Sequence, residues 1–254
     1  MIQTLLFDLG GTLHTVKRTR ESRLRFCNHV LQLLREHQIP VDLDPETLDA
    51  MLAVNGEEYK HFGEQHLIEL PQKVIWSQYY LKELHIDPER LAPFTEELSF
   101  YYDQERMENT PRPDLKETMA ALHGMGVRLG VVSNIISTTL VPYALEQYGI
   151  AQYMECVVMS SQVGIRKPDP RIFEVAMAQM GTTAAETGYV GDTISRDVLG
   201  SRNAGLGLVV RIENPAIAHR DAAFQGPDAP QADYVIRELK ELVPILSKIN
   251  GPRA

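Results

Sequence analysis

From about residue 110 onward, short apolar runs alternate with amphipathic segments, and the runs tend to end on a polar group. Val127 to Val132 leads into Ser133-Asn134, and Tyr189-Val190-Gly191 closes on Asp192. Cys156 to Met159, Leu208 to Ile212 and Tyr234 to Ile236 are further runs of strand length. Between them lie helical patterns: Leu140, Tyr143, Ala144 and Tyr148 closed by Gly149, then Ile172, Phe173, Ala176, Met177 and Met180. Pro168 and Pro170 suit the entry to the second of these, where a backbone N–H lacks a partner anyway. Repeated strand–helix alternation predicts an α/β fold, a doubly wound and mostly parallel sheet with helices on both faces. Ligands of such sheets sit at the carboxyl ends of the strands. Asp8, which closes the apolar run Thr4 to Phe7, is therefore expected at one edge with Ser133 and Asp192.

The spacing of those polar ends locates a second domain. Ser133 to Lys167 and Lys167 to Asp192 are each about one crossover unit long, whereas Asp8 to Ser133 is several times longer. The surplus, residues 16–107, has helical composition. Leu24, Cys27, Leu31 and Leu34 make one stripe, and Leu48, Met51 and Leu52 another. Val74, Ile75 and Leu81 suggest a third helix, and Leu91, Phe94, Leu98 and Tyr101 a fourth. The expected division is thus a core of residues 1–15 and 108–254 and an inserted helical bundle over 16–107. A surface loop is expected from Gln225 to Gln231, with Gly226, Pro227 and Pro230.

Composition removes several function classes. With 44% hydrophobic and 23% charged residues, and no run near the roughly 20 apolar residues a membrane helix needs, the chain reads as an ordinary soluble protein. No secretory pattern opens it, and Cys27 and Cys156 form no metal-ligand spacing, which fits a cytoplasmic setting. A net charge of -9 argues against nucleic acid as partner.

The segment Asp8-Leu9-Gly10-Gly11-Thr12-Leu13 resembles the nucleophile loop of the haloacid dehalogenase-like hydrolases. Ser133, Lys167 within Arg166-Lys167-Pro168-Asp169-Pro170, and Gly191-Asp192-Thr193-Ile194-Ser195-Arg196-Asp197 match that family's other three sites, in order. The resemblance implies a Rossmann-like core, with the inserted helices placed as the family's cap, a lid over the site. It also implies a phosphatase of a small phosphorylated molecule, with Asp8 attacking phosphorus to give an aspartyl-phosphate. Gly11, Thr12, Ser133 and Asn134 would hold phosphate oxygens, and the Lys167 ammonium would offset their charge. Mg²⁺ would be held by Asp8, the backbone carbonyl of Gly10, Asp192 and Asp197, directly or through water, since a hard cation prefers oxygen ligands.

The chain departs from that pattern at Gly10, where the family's phosphatases usually carry a second aspartate that shuttles a proton. Two alternatives therefore stand beside the phosphatase: a metal-free haloacid dehalogenase, which Asp192 and Asp197 disfavour, and a slow or non-catalytic phosphate-binding protein. A phosphomutase, which needs the shuttle in both directions, is the least favoured. His14 lies close enough in sequence to be weighed as a substitute acid, but is read as a bystander. Lys17, Arg18, Arg20, Arg23 and Arg25 are read as a solvated face, His61 and His66 as exposed, and Trp76, Tyr79 and Tyr80 as core of the helical insert.

Overall fold

The computed structural model describes residues 1–222, 224, 226 and 229–251. Eight strands occur among them: β1 Thr4–Phe7, β2 His14–Lys17, β3 Glu108–Pro111, β4 Arg128–Ser133, β5 Met154–Met159, β6 Thr187–Gly191, β7 Leu208–Ile212 and β8 Tyr234–Ile236. Six of these form one sheet in the order β5-β4-β1-β6-β7-β8, with every neighbouring pair parallel. The chain thus begins in the middle of its sheet and winds outward both ways, the doubly wound arrangement the alternation predicts. Every residue of β1 and β6 is buried, as strands covered on both faces must be.

Helices at Leu115–Gly124, Leu140–Gln147, Arg171–Met180 and Leu199–Asn203 lie in the crossovers between strands, and Leu242–Asn250 follows β8. In Arg171–Met180 the residues at helical spacing, Ile172, Phe173, Ala176 and Met180, are buried against Leu6, Val132, Val158 and Tyr189 from four strands. Each large apolar side chain so enclosed contributes about 1.5–3 kcal/mol relative to leaving it in water. Pro170 is the N-cap of that helix, and Gly181 ends it in the left-handed conformation. The loop expected from Gln225 to Gln231 includes positions 225, 227 and 228, which lie outside the described residues.

The chain divides into two compact units, residues 1–15, 110–134 and 141–254 on one hand, and 16–109 with 135–140 on the other. The chain passes between them four times, twice within the strands β2 and β3, which pair with each other, and twice at the ends of segment 135–140. The second unit is helical and has a core of its own, which includes Phe26, Leu34, Leu52, Trp76 and Leu98. Its first helix, Arg20–Glu36, starts at a capping box in which Thr19 and Ser22 satisfy each other's backbone N–H groups. Its second runs from Pro45 to His66, capped by Asp44.

The third and fourth helical stripes are not continuous helices. After Gln72–Ile75 the chain widens into a π turn at Trp76–Tyr80, where Leu81 N–H reaches the Trp76 carbonyl (2.9 Å). Side chains hold the turn there: Ser77 Oγ donates to the Lys73 carbonyl (2.6 Å) and Asn55 Nδ2 to that of Tyr80 (3.2 Å). The fourth stripe breaks into Pro88–Leu91, a tight turn at Ala92–Phe94 and Thr95–Gln104, because Pro93 has no N–H to continue the ladder. Trp76 is buried and donates through Nε1 to Ser99 Oγ (2.9 Å); Tyr80 is buried with it, and Tyr79 packs partly buried on the same cluster. Segment 135–140 belongs to this unit because Glu96 gathers it, accepting from Ser137 Oγ (2.7 Å), Thr138 N–H (2.9 Å) and Thr139 Oγ1 (2.6 Å).

Candidate active site

Parallel pairing places Phe7 of β1 level with Val131 of β4 and Val190 of β6. Asp8 therefore leaves the sheet between Ser133 and Asp192, at the carboxyl ends of three adjacent strands. Its N–H donates to the Val190 carbonyl (2.9 Å), which fixes the start of the loop. Two groups converge on one of its carboxylate oxygens: Ser133 Oγ donates to Oδ1 (3.0 Å), and Lys167 Nζ lies 3.0 Å from the same atom. The contacts leave Oδ2 as the atom that can attack.

Lys167 is almost fully enclosed. Its ammonium donates to Tyr189 Oη (2.6 Å) and Asp197 Oδ1 (2.7 Å), and Tyr189 Oη donates onward to the Val132 carbonyl (2.9 Å). Asn134 braces the lysine's backbone, accepting from its N–H (2.8 Å) and donating to its carbonyl (3.0 Å). The Asn134 amide is occupied by that task, so a phosphate oxygen would meet this residue only at its main chain.

The two acids of the fourth site have different surroundings. Asp197 is satisfied at both oxygens, Oδ1 by Lys167 and Oδ2 by Thr193 N–H (2.9 Å) and Thr193 Oγ1 (2.5 Å). Asp192 accepts at Oδ2 from Asn214 Nδ2 (2.7 Å), but its Oδ1 is buried with no hydrogen-bond partner among the described residues. A buried carboxylate oxygen without a donor is costly unless a cation completes it. Oxygens of Asp8, Asp192 and Asp197 lie within 4.8 Å of one another, so the donor set is all-oxygen and acidic, as a hard divalent cation requires.

Charge repulsion follows from this crowding. Burial pushes the Asp192 carboxyl up to about 7, assisted by the negative charges of Asp197 and Asp8. Asp8 is also raised, by burial first, with the Lys167 ammonium opposing. For Asp197 burial is outweighed by Lys167 and Arg196, and its carboxyl is held at about 2. One ammonium among three buried carboxylates leaves surplus negative charge that a cation would balance.

The loop between Asp8 and His14 is folded on itself, with Gly11 N–H donating to the His14 carbonyl (2.8 Å) and Leu13 N–H to that of Leu9 (2.9 Å). Gly11 has φ +84°, and a Cβ there would stand 1.9 Å from Asp192 Oδ2, so only glycine fits. Gly10 differs: a Cβ would meet only His14 Nε2, at 3.8 Å. Arg112 pins the loop from outside, donating to the carbonyls of Thr12 (2.7 Å) and Gly11 (2.8 Å). Thr12 is buried, and its hydroxyl has no hydrogen-bond partner among the described residues.

The fold therefore brings Asp8, Gly10, Gly11, Ser133, Lys167, Asp192 and Asp197 to one end of the sheet, with Thr12 in the same loop. The other basic and histidine candidates, His14 aside, belong to the helical unit. Arg20 pairs with Glu46 and Arg23 with Asp49, each at 3.0 Å, while Lys17, Arg18 and Arg25 are exposed, as are His61 and His66. Sequence reasoning missed Tyr189, Asn214, Arg112 and Asp221, whose carboxylate accepts from the N–H groups of Ile194 (2.8 Å) and Ser195 (3.1 Å) and so holds the fourth-site loop. Tyr189 lies in the same apolar run as Asp192 and carried a polar tip that could have flagged it; the other three give no sequence signal.

The model of haloacid dehalogenase-like hydrolases matches residues 2–205, and the chain belongs to that family of hydrolases. Among its relatives, glyceraldehyde 3-phosphate phosphatase of Methanopyrus kandleri is 27% identical across 98% of this chain and 99% of its own length. Ribulose-1,5-bisphosphate 5-phosphatase of Halopiger xanaduensis is 25% identical across 97% and 100%. A crystal structure of 2-haloacid dehalogenase from Pseudomonas syringae pv. Tomato DC3000 superimposes with a TM-score of 0.65 at 21% identity, over 98% of this chain and all of that one. The shared fold thus spans phosphatases and a dehalogenase, and the choice between them rests on the site. No helix among the described residues is long and apolar enough to cross a membrane.

Proposed function

We propose that this chain is a Mg²⁺-dependent phosphatase of a small phosphorylated metabolite, acting through an aspartyl-phosphate on Asp8. The observation that carries the proposal is the pairing of a nucleophile held at one oxygen by Ser133 and Lys167 with the partnerless buried oxygen of Asp192. A dehalogenase has no use for that second feature. The phosphatase names of the full-length relatives support the substrate class.

In this reading Asp8 Oδ2 attacks phosphorus, and the phosphate oxygens rest on Ser133, Lys167 and the main-chain N–H groups of Gly11, Thr12 and Asn134. Asp8, the Gly10 carbonyl and Asp192 would hold the Mg²⁺, with Asp197 acting through water, and the bound ion would supply positive charge that polarises a phosphoryl oxygen. Asp197 holds the Lys167 ammonium in place, while Asn134 fixes the lysine's backbone. Residues 16–107 serve as the cap, whose side chains select the substrate, and residues 1–15 and 108–254 as the catalytic core. A cytoplasmic enzyme acting on free metabolites fits these features.

The test is a panel of phosphorylated metabolites and haloacids, assayed for phosphate and halide in parallel, with Mg²⁺ and with chelator. Phosphate release that needs Mg²⁺ and is abolished by Asp8→Asn, in a variant whose circular dichroism is unchanged, is the expected result. Halide release in excess chelator, or full phosphatase activity in Asp8→Asn, would overturn it.

A further inference from the structure

An alkyl phosphate cannot release its alcohol easily unless the departing oxygen takes a proton, and around Asp8 most titratable groups are committed elsewhere. Lys167 is hydrogen-bonded to Tyr189 and Asp197 and paired with Asp8, Asp197 is satisfied at both oxygens, Ser133 donates to Asp8, and Asp192 faces the cation site. One side chain in the nucleophile loop is placed differently. The turn from Leu9 to His14 folds the His14 ring back over Gly10, so that Nε2 stands 3.8 Å from where a Gly10 side chain would begin. His14 Nδ1 is 2.8 Å from Tyr148 Oη, with the two rings edge to face, and Nε2 has no hydrogen-bond partner among the described residues. The imidazole is buried, yet one of its nitrogens points at no protein group.

Resting on the phosphatase reading, we propose that His14 is the proton-transfer residue of this site, working at Nε2, with Tyr148 as the positioning residue that holds its ring and supplies the proton at Nδ1. Glycine at position 10 then has a physical meaning. Its φ is not in the left-handed region and a Cβ would meet no clash, so no backbone demand selects glycine there. A longer side chain at that position would extend toward the space the imidazole uses.

The proton path balances as a relay. Tyr148 O–H donating to Nδ1 places the ring's proton on Nε2. As Asp8 Oδ2 forms its bond to phosphorus and the P–O bond to the alcohol breaks, the departing oxygen takes the Nε2 proton and Nδ1 takes that of Tyr148. The tyrosine hydroxyl, raised to about 12 by burial, is still a stronger acid than an alcohol, whose pKa is close to the roughly 15.7 of water, so the transfer runs downhill. In the second half, water attacks phosphorus, the bond to Asp8 breaks, water's proton passes to Nε2, and Nδ1 returns its proton to Tyr148.

The experiment is a plot of log kcat against leaving-group pKa for alkyl and aryl phosphates in Mg²⁺. It compares the wild type, His14→Gln, Tyr148→Phe and the double variant Gly10→Asp/His14→Gln, each checked for fold by circular dichroism. His14→Gln is expected to lower the alkyl-to-aryl rate ratio by about 10²-fold, the lower end of what a positioned general acid contributes. Tyr148→Phe should lower the same ratio by a smaller factor, and adding Gly10→Asp to His14→Gln should restore it. Equal losses on alkyl and aryl esters, or an unchanged slope in a folded His14→Gln protein, would overturn the role of His14 while leaving the phosphatase intact. No phosphate release by the wild type from any ester would instead remove the underlying reading.

Discussion

Asp192 should make the metal-free protein less stable as pH rises, and Asp192→Asn should remove that effect. Its folded pKa of about 7 lies above the unfolded value of 3.8, so the protonated form is the one the fold prefers. Folding stability linked to this group is fully present below about pH 4 and is lost as pH rises through about 7. Asp197, held at about 2, acts in the opposite sense and in a lower window: its stabilisation is present above 3.8 and lost as pH falls through about 2. Between about pH 4 and 7 the two therefore do not cancel, and the raised Asp8 adds to the Asp192 effect. A shift of this size corresponds to about 4 kcal/mol, or about 10 °C in melting temperature for a chain of this length. In Asp192→Asn the amide oxygen can still accept from Asn214, and the new NH₂ faces carboxylates instead of repelling them. Thermal denaturation in chelator at about pH 5 and about pH 7.5 spans the upper part of that window, about 3 kcal/mol of it. The wild type should melt lower at the higher pH and be rescued by Mg²⁺, while Asp192→Asn should melt higher than the wild type at about pH 7.5 and gain nothing from Mg²⁺. Parallel pH dependences in the two proteins, or equal rescue by Mg²⁺, would refute the assignment of both the repulsion and the cation to Asp192.

Two further substitutions probe the supporting geometry. Gly11→Ala combines a disallowed φ with a Cβ 1.9 Å from Asp192 Oδ2, so calorimetric Mg²⁺ binding should weaken at least tenfold and the melting temperature should fall. Lys167→Met leaves Asp8 and Asp197 buried without their counter-charge; breaking such a pair costs about 3–5 kcal/mol, and urea denaturation should show the loss shrinking as pH falls and the carboxylates protonate.

The sheet was legible because its evidence is local. A run such as Leu208 to Ile212 announces a strand by composition alone, and strand ends at Asp8, Ser133 and Asp192 follow from where each run stops. What stayed hidden in the helical unit depends on competition between partners. Ser77 and Asn55 capture carbonyls that a regular helix would use, and the result is a π turn where Val74, Ile75 and Leu81 suggest a straight helix. Pro93, by contrast, was visible, and the break at Ala92–Phe94 could have been read from it.

The site shows the same division at finer scale. Asp8, Ser133, Lys167 and Asp192 lie at strand ends or in a motif, and sequence order is enough to propose them. Asn214, Arg112 and Asp221 serve the site through one or two hydrogen bonds each, formed across long sequence separations, which no pattern encodes. Gly10 and Gly11 look equivalent in the sequence and are not. Gly11 answers a backbone demand, a left-handed φ packed against Asp192, so any other residue there is strained. Gly10 answers none, and the nearest atom it spares is His14 Nε2. A residue read from its spacing as a bystander thus becomes, once the loop is folded, the side chain that faces the position where the family's second acid would stand. Sequence spacing cannot report this, because the closeness of position 14 to position 10 is made by the turn, and the turn is held by Gly11 and Arg112.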